Sequence, residues 1–174
     1  MNLEERLAAR LTGVVVVVGV GNPLRGDDGA GCQAAARLRG VPGVRVVLAE
    51  EVPESHLGAI ADARPDVVAL IDAVDLGAAP GSVALLERDD LPAGGGTTHH
   101  APLALVMEVL AHMTGADVFL LAIQPQSTFL GGPVSVEVAT AAEGLASIIA
   151  GALATRVAFG EVVRGAVAED SSPC

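Results

Sequence analysis

Five consecutive valines, Val14 to Val18, run straight into Gly19-Val20-Gly21, and that junction limits what the chain can fold into. The run is short, β-branched and bounded by glycine, so it reads as a strand buried on both faces of a parallel sheet. Asn22-Pro23-Leu24-Arg25-Gly26-Asp27-Asp28-Gly29-Ala30-Gly31 then supplies a turn and a helix start. In open α/β sheets, a turn at the carboxyl end of a central strand is where ligands are held. Most glycine-rich turns of this kind receive a phosphate, because free N–H groups and the dipole of the following helix attract anions. Here two carboxylates stand in that position. They repel a pyrophosphate and attract a cation, so the turn points to metal chemistry rather than to a nucleotide.

Further strand-like runs follow at Val44 to Leu48, Val67 to Ile71, Ser82 to Leu86 and Val118 to Ile123, with helical patterns between most of them. That alternation is expected of βαβ units in an α/β fold. The first helix is expected from Gly29 to Arg39 with Cys32, Ala35 and Ala36 inward, and the second from Ser55 to Ala63, ended by Pro65. Leu103, Val106, Met107 and Leu110 fall at i, i+3, i+4 and i+7, an amphipathic stripe with Pro102 in its first turn. A last helix is expected from Ser135 to Val157, N-capped by Ser135, with Val138, Ala142, Leu145, Ile149 and Leu153 as its stripe. Leu76-Gly77-Ala78-Ala79-Pro80-Gly81 is too short for a crossover helix, so the fourth strand should turn back antiparallel. Leu91-Pro92-Ala93-Gly94-Gly95-Gly96-Thr97-Thr98 reads as a flexible loop that delivers His99 and His100 to the third helix. The periodicity stops after Gly160. One domain over residues 1–160 and a flexible tail over 161–174 are expected.

Charge and composition narrow the partners. Ten basic residues against 21 acidic ones give a net charge of −11, which repels a phosphate backbone and argues against nucleic acid. Lysine is absent, and aromatics make up 2% of the chain with no Trp or Tyr, so base stacking is not on offer. Cys32 and Cys174 lie far apart in sequence, which suggests neither a disulfide framework nor a Cys-rich zinc site and fits a reducing cytoplasm. No secretory leader is read at Met1-Asn2-Leu3-Glu4-Glu5-Arg6, and the valine run is too short to span a bilayer. The expectation is a cytoplasmic protein with no membrane partner.

Three ionisable residues should share one rim of the sheet. Asp28 follows the first strand, Asp72 ends the run Val67-Val68-Ala69-Leu70-Ile71, and His99 precedes the third helix. The first and third strands of a doubly wound sheet are often neighbours, and the crevice between their carboxyl ends is the switch-point site. Two carboxylates and an imidazole suit a borderline divalent ion such as nickel or zinc. Each residue also has an ordinary reading. Asp27 or Asp28 could cap the first helix, Asp72 could be satisfied by backbone donors at a strand end, and His99 could be a cap or a loop histidine. One aspartate capping while its neighbour faces the crevice reconciles the two. His56 and His112 read as helix-surface or packing residues. Gly19-Val20-Gly21 also opens a dinucleotide fingerprint, and Glu50 stands roughly where an acid would take a ribose hydroxyl. Leu24 occupies the place of the third glycine, however, and the carboxylates oppose a phosphate.

The motif from Gly19 to Gly31 resembles the signature of hydrogenase maturation endopeptidases. The likeness continues in Ile71-Asp72-Ala73, Ala79-Pro80-Gly81, Thr97-Thr98-His99 with Pro102-Leu103, and Ile123-Gln124-Pro125. The Thr-Thr-His and Ile-Gln-Pro elements look most like the subgroup serving hydrogen-evolving, formate-linked hydrogenases. The resemblance implies a three-layer α/β fold, a twisted five-stranded mostly parallel sheet with one antiparallel strand and helices on both faces. It implies a peptidase that removes the C-terminal extension of a nickel-iron hydrogenase large-subunit precursor after nickel insertion. Asp28, Asp72 and His99 fall on the family's catalytic and metal-coordinating positions, nickel being carried by the precursor. The turn acid is often Glu in the family and is Asp here. After the second strand relatives tend to carry Asp-Gly-Gly, where this chain has Glu50 and Glu51, making these two candidates for substrate binding. Either the metal polarises the scissile carbonyl and activates water, or a carboxylate is the general base. No Ser or Cys with a paired base supports a covalent route. The rival functions are a non-catalytic nickel-sensing or docking protein and a nucleotide-binding oxidoreductase.

Overall fold

The computed structural model describes residues 1–91 and 102–158. In chain order its elements are α1 (Leu3–Arg10), β1 (Val15–Val20), α2 (Ala30–Ala36), β2 (Val44–Glu50), α3 (Leu57–Asp62), β3 (Val67–Ala73), β4 (Val83–Leu86), α4 (Leu103–Thr114), β5 (Asp117–Ile123) and α5 (Val136–Ala158). The strands form one sheet in the order β2-β1-β3-β5-β4. β1 pairs in parallel with β2 and β3, β3 with β5, and β4 alone runs antiparallel, against β5.

The valine run explains why helices cover both faces. Successive strand residues point to opposite sides. Val15 and Val17 join one apolar cluster with residues of α1, α2 and α5, while Val16, Val18 and Val20 join another with Ile60 of α3 and Val106, Met107 and Leu110 of α4. All six residues of β1 are buried. β3 repeats the pattern, with Val67, Ala69 and Ile71 on the first side and Val68 and Leu70 on the second. Burying one Val or Leu is worth about 1.5–3 kcal/mol, so these two central strands anchor the three-layer α/β architecture that the sequence leads one to expect.

Small residues let the layers close. Gly31 lies in the first turn of α2, and a Cβ there would sit 2.1 Å from the Ile71 carbonyl oxygen and 2.4 Å from that of Val20. Only glycine lets the helix start rest directly on the ends of β1 and β3.

Several boundaries differ from expectation. A 3-10 turn over Gly26–Gly29 precedes α2, which ends at Ala36; Leu38 and Arg39 donate instead to Ala35 and Ala36 in tight turns. Within α2, Cys32 and Ala35 are buried as expected, but Ala34 is buried too and Ala36 only in part. Pro53–His56 is likewise a 3-10 turn before α3, and Pro102 stands just outside α4. The stripe Val138, Ala142, Leu145, Ile149 and Leu153 is buried as expected. By length and composition alone Val136–Arg156 is apolar enough to cross a membrane, and its buried stripe is what lies against the sheet. α1 is an element that the apolar patterning does not predict. A capping box between Asn2 and Glu5 starts it, and it buries Leu7. Its Arg10 reaches Glu87 and Asp117 in ion pairs and lies 4.3 Å from the centre of the Phe119 ring. The proposed tail over 161–174 lies outside the described residues.

Candidate active site

The site is built on a reversal in the sheet. From β1 the chain passes to β2 on one side and then to β3 on the other, which opens a crevice at the carboxyl ends of β1 and β3. Register places Gly19 beside Ile71, so the turn after Val20 is level with Asp72. Gly21 bends the chain with a φ of 110°, a conformation natural to glycine. Its N–H donates to the Glu50 carbonyl at 2.8 Å, tying the turn to the end of β2. A Cβ on Gly21 would lie 1.8 Å from the Asp28 carbonyl oxygen and 3.4 Å from Asp72 Oδ1. Gly21 thus packs against the Asp28 backbone and beside the Asp72 carboxylate, and the Asp28 charge reaches Asp72.

Each acid has a fixed seat. Asp28 Oδ2 accepts from the Asn22 N–H at 2.8 Å, and Asn22 Oδ1 accepts in turn from the Leu24 N–H at 2.8 Å. Asp72 is the last residue but one of β3, and its Oδ1 accepts from the Ala73 N–H at 2.8 Å. Burial pushes the Asp72 carboxyl up, the Asp28 charge pushes it further, and the Ala73 N–H only partly opposes them, leaving a pKa of about 7. An acid so reluctant to ionise gains from a cation. Below them lies the buried thiol of Cys32, 3.4 Å from the carbonyls of both Gly19 and Gly21. Burial raises its pKa, and Glu50, Asp72 and Asp28 raise it further against a backbone hydrogen bond from Glu50. All three acids thus act on one thiol.

Asp27 overturns the expected helix cap. α2 has no side-chain cap, and Asp27 is fully buried, pointing away from α2. Its Oδ2 accepts from the N–H groups of Gln126 at 2.8 Å and Ser127 at 3.0 Å, and from the Ser135 hydroxyl at 3.0 Å. Its Oδ1 accepts from the Ser135 N–H at 2.6 Å. Burial raises its pKa, but these donors outweigh burial and hold it below the ordinary carboxylate value. Ser135, foreseen as a cap for α5, turns its hydroxyl to Asp27.

Gln124 carries no role that the local sequence reveals. It is buried at the end of β5. Its Oε1 accepts from the N–H groups of Leu76 at 2.6 Å and Ala78 at 3.2 Å, and its Nε2 donates to Asp75 Oδ1 at 3.2 Å and the Pro125 carbonyl at 3.0 Å. It fixes the segment leaving Asp72. The signal was the Ile123-Gln124-Pro125 element, which carried the resemblance without a stated task.

Glu50 is exposed and holds a φ of 49°, a left-handed conformation that favours glycine. Glu51 is exposed beside it. His56 is partly buried in its 3-10 turn and His112 is exposed in α4. His99 and the loop before it lie outside the described residues. Among the described residues, no group of three or more His, Cys, Asp or Glu side chains is placed to hold a metal ion; they contribute the Asp28–Asp72 pair.

Comparison with known proteins identifies the scaffold. Residues 33–152 match the family model of HycI, hydrogenase maturation protease. The chain is 32% identical over 131 residues to the hydrogenase 3 maturation protease of Escherichia coli, covering 74% of this chain and 83% of that protein. The crystal structure of the NiFe hydrogenase maturation protease HycI from Thermococcus kodakarensis superposes with a TM-score of 0.79 at 34% identity, covering 86% of this chain and 99% of that one. The hydrogenase maturating endopeptidase HybD from Escherichia coli, at 23% identity and a TM-score of 0.64 over 84% of this chain and 93% of that one, shares the fold. With the sheet, the acid-bearing turn and these likenesses in agreement, the chain belongs to the hydrogenase maturation protease family and is a peptidase.

Proposed function

We propose that this peptidase removes the C-terminal extension of a nickel-iron hydrogenase large-subunit precursor once nickel is in place, reading the metal through Asp28, Asp72 and His99. The observation that carries this is the pair of acids at the switch point, Asp72 at the end of β3 with the Asp28 charge acting on it, where a phosphate-binding fold would present free N–H groups. Nickel arrives with the substrate. Its positive charge offsets the burial and the Asp28 repulsion that together keep Asp72 protonated near neutral pH, so a filled precursor docks and an empty one does not. Hydrolysis then adds water across one peptide bond, the hydroxyl going to the carbonyl carbon and the proton to the leaving amine. A carboxylate of the pair is suited to take the proton from the water and pass it on. Cytoplasmic action fits a chain whose two cysteines are far apart in sequence and whose Cys32 is free.

Mass spectrometry of a full-length precursor, with and without nickel, tests the reading. Loss of a C-terminal fragment is expected from the nickel-loaded form alone. Asp28→Asn, Asp72→Asn and His99→Ala should each abolish that loss while leaving cooperative unfolding. Equal cleavage of nickel-free precursor, or full activity of Asp28→Asn, refutes it. Family membership favours this reading over a non-catalytic docking protein, which would leave the precursor at full length.

A further inference from the structure

Beside the acid pair stand large apolar side chains that the fold does not use. Leu24 is 70% exposed, Phe129 74% and Leu130 60%. The chain has three phenylalanines and no Trp or Tyr, and while Phe119 is wholly buried, Phe129 is left in water.

These residues belong to two loops bound edge to edge. The Gly131 N–H donates to the Leu24 carbonyl at 2.8 Å, and the Asp27 N–H to that of Ser127 at 3.0 Å. A Cβ on Gly26 would lie 2.8 Å from the Ser127 carbonyl oxygen and 3.2 Å from that of Pro133. The Asp27 carboxylate clamps the same pair of loops from beneath, and the Gly132 N–H closes a turn onto the Phe129 carbonyl at 3.0 Å. The apolar side chains are therefore carried on a braced platform, which lowers the ordering cost of binding. Leu24 is tied to the crevice through Asn22, whose Oδ1 accepts from the Leu24 N–H and whose N–H donates to Asp28 Oδ2, both at 2.8 Å. The strand order sets Glu50 and Glu51 after β2 on one side of the acid pair and the Phe129 loop after β5 on the other.

We propose that Leu24, Phe129 and Leu130 form the apolar half of the substrate-docking surface and receive an apolar stretch of the protein substrate next to the bond that is cut. This rests on Asp28 and Asp72 being the site. A peptidase acting on one folded protein must hold it by more than the reacting bond, and exposed apolar residues grouped at a site mark such contacts. The other side, lined by Glu50 and Glu51, carries negative charge, so the two flanks ask for different substrate chemistry.

The experiment compares the full chain with a variant carrying Leu24→Ser, Phe129→Ser and Leu130→Ser, using nickel-loaded full-length hydrogenase large-subunit precursor as the probe. Thermal melting should match the parent, since all three side chains are exposed. The expected result is a rise in KM of about tenfold or more with kcat unchanged, the pattern of lost uniform binding, and an equal weakening of precursor binding. Phe129→Leu, which keeps an apolar group, should retain most of the affinity. Asp28→Asn, measured alongside, should lose cleavage and the metal's share of the binding while keeping the platform's share. Unchanged KM and affinity in the triple variant overturn the proposal. So does a parent that is dimeric and becomes monomeric in the triple variant with KM unaltered, which makes the platform an interface between copies. If Asp28→Asn still cleaves while the triple variant binds poorly, the site reading falls and the docking surface stands.

Discussion

Asp72→Asn should make this protein more stable and less useful at once. In the folded chain the carboxyl titrates at about 7, against an ordinary 3.8, so between those values the folded state holds a proton that the unfolded state has released. Stability must then fall as pH rises from about 4 to about 7 and level off above it. At about 1.36 kcal/mol for each tenfold in proton affinity, the full gap is worth about 4 kcal/mol. Asp72 is only partly buried at a rim, so about half of this, about 2 kcal/mol, is the expected gain from replacing it with a neutral amide that can still accept from Ala73. For a chain of this size that raises Tm by roughly 4–8 °C. Thermal melts of both proteins at pH 5, 6, 7 and 8 would measure it, with the advantage of the variant smallest at pH 5 and full at pH 8. Equal melting temperatures at pH 8, or an advantage that grows toward acid, would refute the account of Asp72 as a charge held against its preference.

Asp27→Asn should destabilise by about 2–4 kcal/mol, because charge-assisted hydrogen bonds are worth about 1.5–3 kcal/mol each and an amide turns N–H groups toward existing donors; urea unfolding measures it. Since the folded pKa of Asp27 is depressed, its contribution is present at neutral pH and disappears as pH falls through that lowered value, so the variant and parent should converge in acid. Gly31→Ala must move a helix off the Ile71 and Val20 carbonyls, a cost of about 3 kcal/mol readable as a Tm drop of roughly 6–12 °C. Replacing Glu50 and Glu51 with glycine should weaken processing of a precursor with basic residues near its cut site, most at low salt, where screening beyond about 8 Å is weakest. The same change relieves the left-handed backbone at Glu50 and should leave Tm unharmed; unchanged processing at every ionic strength would make the pair mere solvated surface.

The elements that the sequence announced are those whose side chains alternate or repeat. Val14 to Val20, Val67 to Ile71 and the stripe of α5 carry their burial in their spacing, and the short Leu76 to Gly81 link excluded a crossover, which located the antiparallel strand. α1 escaped because its first residues are mostly charged and a capping box at Asn2 and Glu5 was its only strong local mark. At the site, the motif named Asp28 and Asp72 because residues at the ends of adjacent parallel strands must share a rim. It misassigned Asp27 for a physical reason. An acid before a helix is good as a local cap, and only contacts about 100 residues away in sequence, at Gln126, Ser127 and Ser135, reveal that it serves elsewhere. Gln124 was obscure for the same cause, since its partners at Leu76 and Ala78 lie across a strand order no local pattern encodes.

The clamp at Asp27 also sets a schedule. The acid-bearing turn is made of residues near the start of the chain, yet the donors that hold its neighbour in place are up to 108 positions later. On the ribosome, β1, β2 and β3 can emerge and the turn can be present in outline, but the Asp27 carboxylate has none of these partners until the chain has passed β5, and not all of them until Ser135 has been synthesised. A nascent chain that stops short of Gln126 leaves that charge with none of the four hydrogen bonds of the finished protein, and one that stops between Ser127 and Ser135 leaves it with two. The acid-bearing turn therefore gains its full set of bonds only late in synthesis, and a product truncated before β5 is complete should be cleared as unfolded chain rather than persist as a partly competent one.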